Sequence, residues 1–206
     1  RYYGWEPSAI SIGYFQRIER EVNLKKTQEL GVDVIRRVTG GGAVYHDREG
    51  EVTYSITISQ DHPGISKDVQ ESYTLLCQGI VEGLKNVGVQ SVFSPVNDIL
   101  SGGKKISGNA QTRRNGKVLQ HGTILVKVDP ARMFSMLKVS DEKIRDKMIA
   151  AVDERVTSLE RQGVTTNFDD VGKALMQGFS NILDVDFAPD TLTADELMSI
   201  PSRACF

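Results

Sequence analysis

An α+β domain with a largely antiparallel sheet flanked by helices is the fold class this 206-residue sequence predicts. Three observations carry it. Apolar residues alternate through several short segments, as half-buried strands require. Those segments are joined by glycine-rich turns rather than by crossover helices, which favours antiparallel pairing. Other stretches keep the three- and four-residue spacing of amphipathic helices.

The elements follow in chain order. "AISIGYF" (9–15) reads as a half-buried strand, and "VDVIRRV" (32–38) as a short strand leading into glycines. In "EVTYSITIS" (51–59), Val52, Tyr54, Ile56 and Ile58 share one strand face. Beyond it the period becomes helical: Val69, Tyr73, Leu76, Cys77, Ile80, Leu84 and Val87 form one stripe that stops at Gly88. Residues 98–128 read as an antiparallel meander. Its turns are Gly102-Gly103 and Asn115-Gly116, the second favouring type I′. Helices are expected over 131–137, 141–152 and 169–183, and Thr193, with acidic residues just after it, is a candidate start for one more. No linker or repeat interrupts the pattern, so 1–206 reads as a single domain.

Composition narrows the function classes. The chain is 39% hydrophobic and 25% charged, the balance of an ordinary soluble domain. A net charge of −2 provides no basic field for nucleic acid or an anionic membrane. No apolar run approaches the roughly 18 residues of a membrane span. Cys77 and Cys205 make neither a metal spacing nor a disulfide framework, which fits a reducing cytoplasm. The opening "RYYGWEPSAISIGYF" reads as the interior of a domain, so further residues upstream are expected.

Three clusters carry chemistry. In "RRVTGGGAVYHD" (36–47), three glycines follow a strand, but another strand, not a helix, comes next. That disfavours a Rossmann or P-loop reading. A plain hairpin turn rarely needs three glycines, whereas a ligand lying against bare backbone does. Arg36 and Arg37 alternate across the strand, so one of them can fork onto a phosphate or carboxylate. In "NDILSGGKKISGNAQ" (97–111), Lys104 reads as solvated and Lys105 points the opposite way, with Gly108 allowing close approach. "QHGTILV" (120–126) places His121 and Gly122 early in a strand. His46 and His121 can each be structural as well as functional.

Together, in this order and spacing, the clusters resemble the lipoate–protein ligase family. Its first signature matches Arg37, Thr39, Gly40, Gly41, Gly42, His46 and Asp47. The second matches Asn97, Asp98, Ile99, Lys105, Ser107, Gly108 and Ala110, and the third His121, Gly122 and Thr123. One departure is "DREGEVTY", where Glu51 or Thr53 takes the place of an Asn or Asp common in the family. The resemblance implies a fold similar to biotin ligases and class II aminoacyl-tRNA synthetases. It implies that lipoate is activated with ATP to lipoyl-AMP and passed to a lysine of an acceptor domain. Lys105 is then the catalytic cation, the matched residues together with Val44 bind the lipoyl-AMP, and Asp98 is a Mg²⁺ ligand. The implied acceptors are lipoyl domains of 2-oxoacid dehydrogenase acyltransferase subunits or a glycine-cleavage H protein.

Two further expectations follow from the resemblance. Tyr14 and the strand near Val44 are expected to wall the lipoyl slot. The sequence after residue 183 is too short for the accessory domain of long ligases, so either a small separate accessory subunit or a lone-acting member is expected. The rivals are an octanoyltransferase of the same fold, a biotin ligase and a non-catalytic binding subunit. The octanoyltransferase needs a cysteine ahead of the lysine motif, and "QSVFSPVNDILSGG" has none, so the ATP-dependent ligase is the expected activity.

Overall fold

The computed structural model describes residues 1–138 and 142–199. Its strands are β1 (Tyr2–Tyr3), β2 (Ala9–Ile12), β3 (Asp33–Arg36), β4 (Val44–His46), β5 (Glu51–Ser59), β6 (Val92–Ser94), β7 (Asp98–Ser101), β8 (Lys104–Arg114) and β9 (Lys117–Leu125). Its helices are α1 (Ile18–Glu21), α2 (Leu24–Glu29), α3 (Val69–Asn86), α4 (Pro130–Met136), α5 (Glu142–Arg155), α6 (Phe168–Leu183) and α7 (Ala194–Ser199).

Two turns set the main sheet. Asn115 and Gly116 both take positive φ, +52° and +70°, the type I′ geometry whose twist suits a hairpin. Gly102 and Gly103 do the same at +56° and +76°. They fold β7, β8 and β9 into a meander, and the six strands run β1-β5-β9-β8-β7-β6, all antiparallel. The fold class expected from the sequence is the one observed.

A second, three-stranded sheet has the order β3-β2-β4. Here β2 pairs antiparallel with β4 but parallel with β3. The parallel link runs through α1 and α2, two helices the sequence pattern does not announce. They have four and six residues, too few for an amphipathic stripe to show. The side chain of Asn23 accepts from the Lys26 N–H and starts α2. The half-buried expectation for β2 is corrected: all four of its residues are buried, with Ile10 and Ile12 packed among Val22, Val32 and Met136 and Ser11 held against His46 and Arg37.

The main core lies between the large sheet and two long helices. Val52 and Tyr54 of β5, Ile99, Ile106 and Ile124 pack against Cys77, Ile80 and Leu84 of α3 and Leu175 and Phe179 of α6. The two helices approach very closely because glycines face each other. A Cβ at Gly178 would stand 2.1 Å from the Gly79 carbonyl oxygen and 2.6 Å from the Gly83 nitrogen. Asp68 and Asn167 cap the two helices. Of the helix expected over 141–152, Asp141 lies outside the described residues, and the helix runs on to Arg155. Thr193 begins α7 through a reciprocal cap: its Oγ1 accepts from the Glu196 N–H while Glu196 Oε2 accepts from the Thr193 N–H. Among the described residues no helix is long and apolar enough to cross a membrane.

The glycine contact generates a stability prediction. Gly178→Ala presses a methyl group onto backbone that cannot swing aside, so it should destabilise by about 3 kcal/mol. Gly163→Ala, with open space around its Cβ position but positive φ, should cost only about 1 kcal/mol. Urea unfolding of both variants checks the order; equal losses would remove the helix contact as the cause.

Candidate active site

The site is built around the loop between β3 and β4. Arg37, the first residue after β3, turns its guanidinium back on that loop. Its Nη2 donates to the carbonyl oxygens of Gly40 (2.8 Å) and Gly42 (2.7 Å), and its Nη1 to the Ser11 carbonyl oxygen (2.9 Å) and Oγ (3.1 Å). The expectation of an arginine fork held open for a ligand is therefore corrected, since these donors hold the loop. Arg36 is occupied too, with Nη1 donating to the carbonyls of Gly13, Tyr14 and Gln16.

The glycines differ in purpose. Gly41 has φ +99°, and a Cβ there would meet Arg37 Nη2 at 2.8 Å. Gly40 and Gly42 have nothing within 4 Å of a Cβ position, so their backbone faces open space. The tightest fit is at Gly13, where a Cβ would lie 2.0 Å from the Gly41 carbonyl oxygen. Sequence reasoning had no signal for Gly13, because its reason is the β3–β4 loop at Gly41, distant in sequence.

The opposite wall comes from β7, β8 and β9. Lys105 Nζ lies 2.6 Å from Asp98 Oδ1 and leans over Gly108, where a Cβ would stand 2.8 Å from Nζ. Lys104 is exposed and reaches the Asp153 carbonyl oxygen instead. Asn97 Nδ2 donates to the Asn109 carbonyl, and Asn109 Nδ2 donates to the Asn97 carbonyl at 2.9 Å. This reciprocal pair clamps the loop before Asp98 onto β8. Tyr54 O–H donates to Asn109 Oδ1, and Gln120 Nε2 donates to the Tyr54 oxygen. Gly122 is small because Asn109 Oδ1 would lie 2.1 Å from its Cβ. The hydrogen bonds that join Asn109, Tyr54 and Gln120 escaped the sequence reading, since a buried polar network leaves no periodic mark.

A third group lies under the loop. His46 Nδ1 sits 2.6 Å from Glu51 Oε1, and His46 Nε2 sits 2.8 Å from Ser11 Oγ. Thr53 Oγ1 donates to the same Glu51 oxygen (2.8 Å), and Trp5 Nε1 donates to Thr53 Oγ1 (2.8 Å). The Trp5 ring stacks on His46 with centroids 4.2 Å apart. Glu51 and Thr53 are buried on the β5 face opposite Val52 and Tyr54, beneath this cover.

All three groups border one cavity of about 1060 Å³. It brings together Arg37, Gly40, Gly41, Gly42, Val44, His46, Asn97, Lys105, Gly108, Ala110, His121, Gly122 and Thr123. Ala43, Leu125, Val128, Met133, Val152 and Val156 add apolar wall. Three expected residues sit behind it. Thr39 is buried and its Oγ1 lies 2.7 Å from His121 Nε2; Ser107 is buried within β8; Asp98 meets the site through Lys105. Tyr14 is corrected: it is 57% exposed, against Phe15, and does not line the cavity. Asp98, the expected Mg²⁺ ligand, has its Oδ1 2.6 Å from Lys105 Nζ.

Burial shapes two titrations. The His121 imidazolium is disfavoured, mainly by desolvation and then by the charges of Arg37 and His46, which lowers its pKa to about 4. The Cys77 thiol is pushed up to about 12, mainly by burial. Cys77 packs in the core and is no border of the cavity, so among the described residues no thiol faces Lys105. Cys205 lies outside the described residues.

Comparison with known proteins places this geometry. The lipoyl protein ligase A/B catalytic domain matches residues 1–180. Octanoyltransferase LipM of Kyrpidia tusciae is 36% identical over 95% of this chain and 79% of its own, and that of Geobacillus kaustophilus 34% over 95% and 78%. A solved archaeal bi-partite lipoate protein ligase, from a lipoylation system of Thermoplasma acidophilum that includes its E2 lipoyl domain, superposes with a TM-score of 0.87. It is 36% identical, covering 96% of this chain and 76% of that one. The curated relatives correct the expected activity. Over nearly the whole chain the sequence aligns with octanoyltransferases, so the ATP-dependent, AMP-forming ligase assignment is withdrawn.

The His121 shift yields a pH prediction. Its folded pKa of about 4 lies below the unfolded value of about 6.5. Between those values the unfolded chain binds a proton that the folded chain refuses, so stability falls as pH drops through this window. His121→Gln, which can still meet Thr39, should lose less stability than the parent between pH 7 and pH 4. Urea midpoints across that range test it, and parallel curves would show that His121 is not refusing the proton.

Proposed function

Since the chain belongs to the lipoyl protein ligase A/B catalytic domain family, we propose that it transfers an octanoyl group from a carrier thioester to a lysine of a lipoyl-carrier domain. One observation carries this reading beside the likeness to octanoyltransferases: a single cavity joins an apolar wall to one aimed cation. At about 1060 Å³ it lies just above the roughly 300–1,000 Å³ of small-molecule pockets, ample for an eight-carbon chain. Val44, Met133, Val152 and Val156 suit the hydrocarbon, and the open backbone at Gly40 and Gly42 lets a flat carbonyl group lie close.

Lys105 supplies the electrostatics. Attack on an acyl carbonyl places negative charge on its oxygen, and a fixed ammonium stabilises that charge only if it is already aimed. Asp98 at 2.6 Å and the bare Gly108 beneath hold Lys105 in one direction. The thioester provides the driving force, so the proposed transfer draws on neither ATP nor Mg²⁺. The acceptor class follows from the Thermoplasma neighbour, a ligase whose system includes an E2 lipoyl domain.

The test incubates the purified chain with octanoyl-loaded acyl carrier protein and a lipoyl domain, without nucleotide. The lipoyl domain should gain one octanoyl amide, read by intact mass. Lys105→Ala should slow the transfer by about 10²–10³-fold, and Lys104→Ala should leave it unchanged. Modification that requires free acid and ATP, with none from the thioester, would overturn the reading.

A further inference from the structure

We propose that Ser11 is the nucleophile that carries the acyl group as an ester, with His46 as its general base and Glu51 orienting the imidazole. The proposal rests on the acyl-transfer reading and answers a question it leaves: where the acyl group waits when no thiol borders the cavity among the described residues.

The geometry has the three members of a Ser-His-acid triad in the required order. Glu51 Oε1 at 2.6 Å places the imidazole proton on Nδ1. That leaves the Nε2 lone pair to accept from the Ser11 hydroxyl at 2.8 Å. Glu51 is itself held by Thr53, and Thr53 by Trp5, whose ring also fixes the plane of His46. A buried carboxylate needs such partners, but satisfying it does not require a serine at the far nitrogen on the cavity side. Ser11 is only 2% exposed and is among the residues that line the cavity. Arg37 Nη1, 3.1 Å from Ser11 Oγ, favours negative charge on that oxygen.

The steps balance. Ser11 Oγ attacks the thioester carbonyl carbon while His46 Nε2 takes the hydroxyl proton. The C–S bond breaks, and the departing sulfur takes the proton from His46 as a free thiol. The neutral amine of the acceptor lysine then attacks the ester carbonyl and loses a proton to His46. The C–O bond breaks, and that proton returns to Ser11 Oγ, leaving an amide.

Two probes separate this proposal from the broader one. An octyl fluorophosphonate should label the parent at Ser11, mapped by tandem mass spectrometry. His46→Gln and Glu51→Gln should lose most of the labelling, and Ser11→Ala all of it. With octanoyl carrier protein and no acceptor, an octanoyl ester should appear on Ser11, and Ser11→Ala should transfer roughly 10³-fold more slowly or worse. Ser11→Cys, the conservative change, keeps the fold testable and should accumulate an octanoyl thioester on the new thiol. A folded Ser11→Ala protein that transfers at the parent rate overturns the proposal, as does a phosphonate or acyl label confined to another residue. Labelling of Ser11 by the phosphonate without any octanoyl transfer would leave the nucleophile standing and sink the octanoyl reading alone.

Discussion

The Arg37 guanidinium is the interaction on which the site depends. It closes the glycine loop on itself through the Gly40 and Gly42 carbonyls and ties that loop to Ser11 of the small sheet. Two residues further along the loop, Thr39 meets His121 of β9, so the same short segment spans both sheets. An arginine suits this task because its planar fork presents several donors in fixed directions, and hydrogen bonds from a charged donor are stronger than neutral ones. Remove it and the carbonyls of Ser11, Gly40 and Gly42 lose a charged donor, and the loop loses its tie to β2. The low pKa of His121 has the same origin in part, since the arginine charge adds to the desolvation of the ring.

Much of the fold was legible because it is written in local rules. Asn115-Gly116 requires positive φ at both positions, and that alone sets the β8–β9 register. The α3 stripe from Tyr73 to Leu84 repeats at helical spacing and buries as expected. What escaped is non-local. The burial of β2 depends on Val22, Val32 and Met136 packing on Ile10 and Ile12 and on Arg37 and His46 meeting Ser11, all from later in the chain. The close crossing of α3 and α6 depends on Gly79, Gly83 and Gly178 meeting across about a hundred residues.

The site divides along the same line. Short motifs pointed to Lys105, Asp98 and the glycine loop, since catalysis and close backbone approach need particular residue types at particular spacings. They did not point to the use of Arg37, whose donors turn inward, and although they named His46, Glu51 and Thr53 they did not join them into the chain that runs from Trp5 to Ser11. Each member of that chain is an ordinary residue for a strand or strand end, and only their convergence has meaning. The activity was the least legible property. A fold that offers one aimed cation beside an apolar slot serves any reaction that places charge on a medium-chain acyl carbonyl. Nothing in Lys105 or the glycines distinguishes a thioester from an adenylate as the acyl donor.

The central claim is therefore positional: the acyl carbonyl lies between Lys105 and the glycine loop, with its chain along Val44, Met133 and Val152. The most direct measurement is a crystal structure of the protein with a lipoyl-domain peptide bearing Nε-octanoyl-lysine. The account predicts the octanoyl carbonyl oxygen within about 2.7–3.1 Å of Lys105 Nζ and the hydrocarbon inside the cavity. An octanoyl chain bound outside that cavity, or a carbonyl turned away from Lys105, would contradict it.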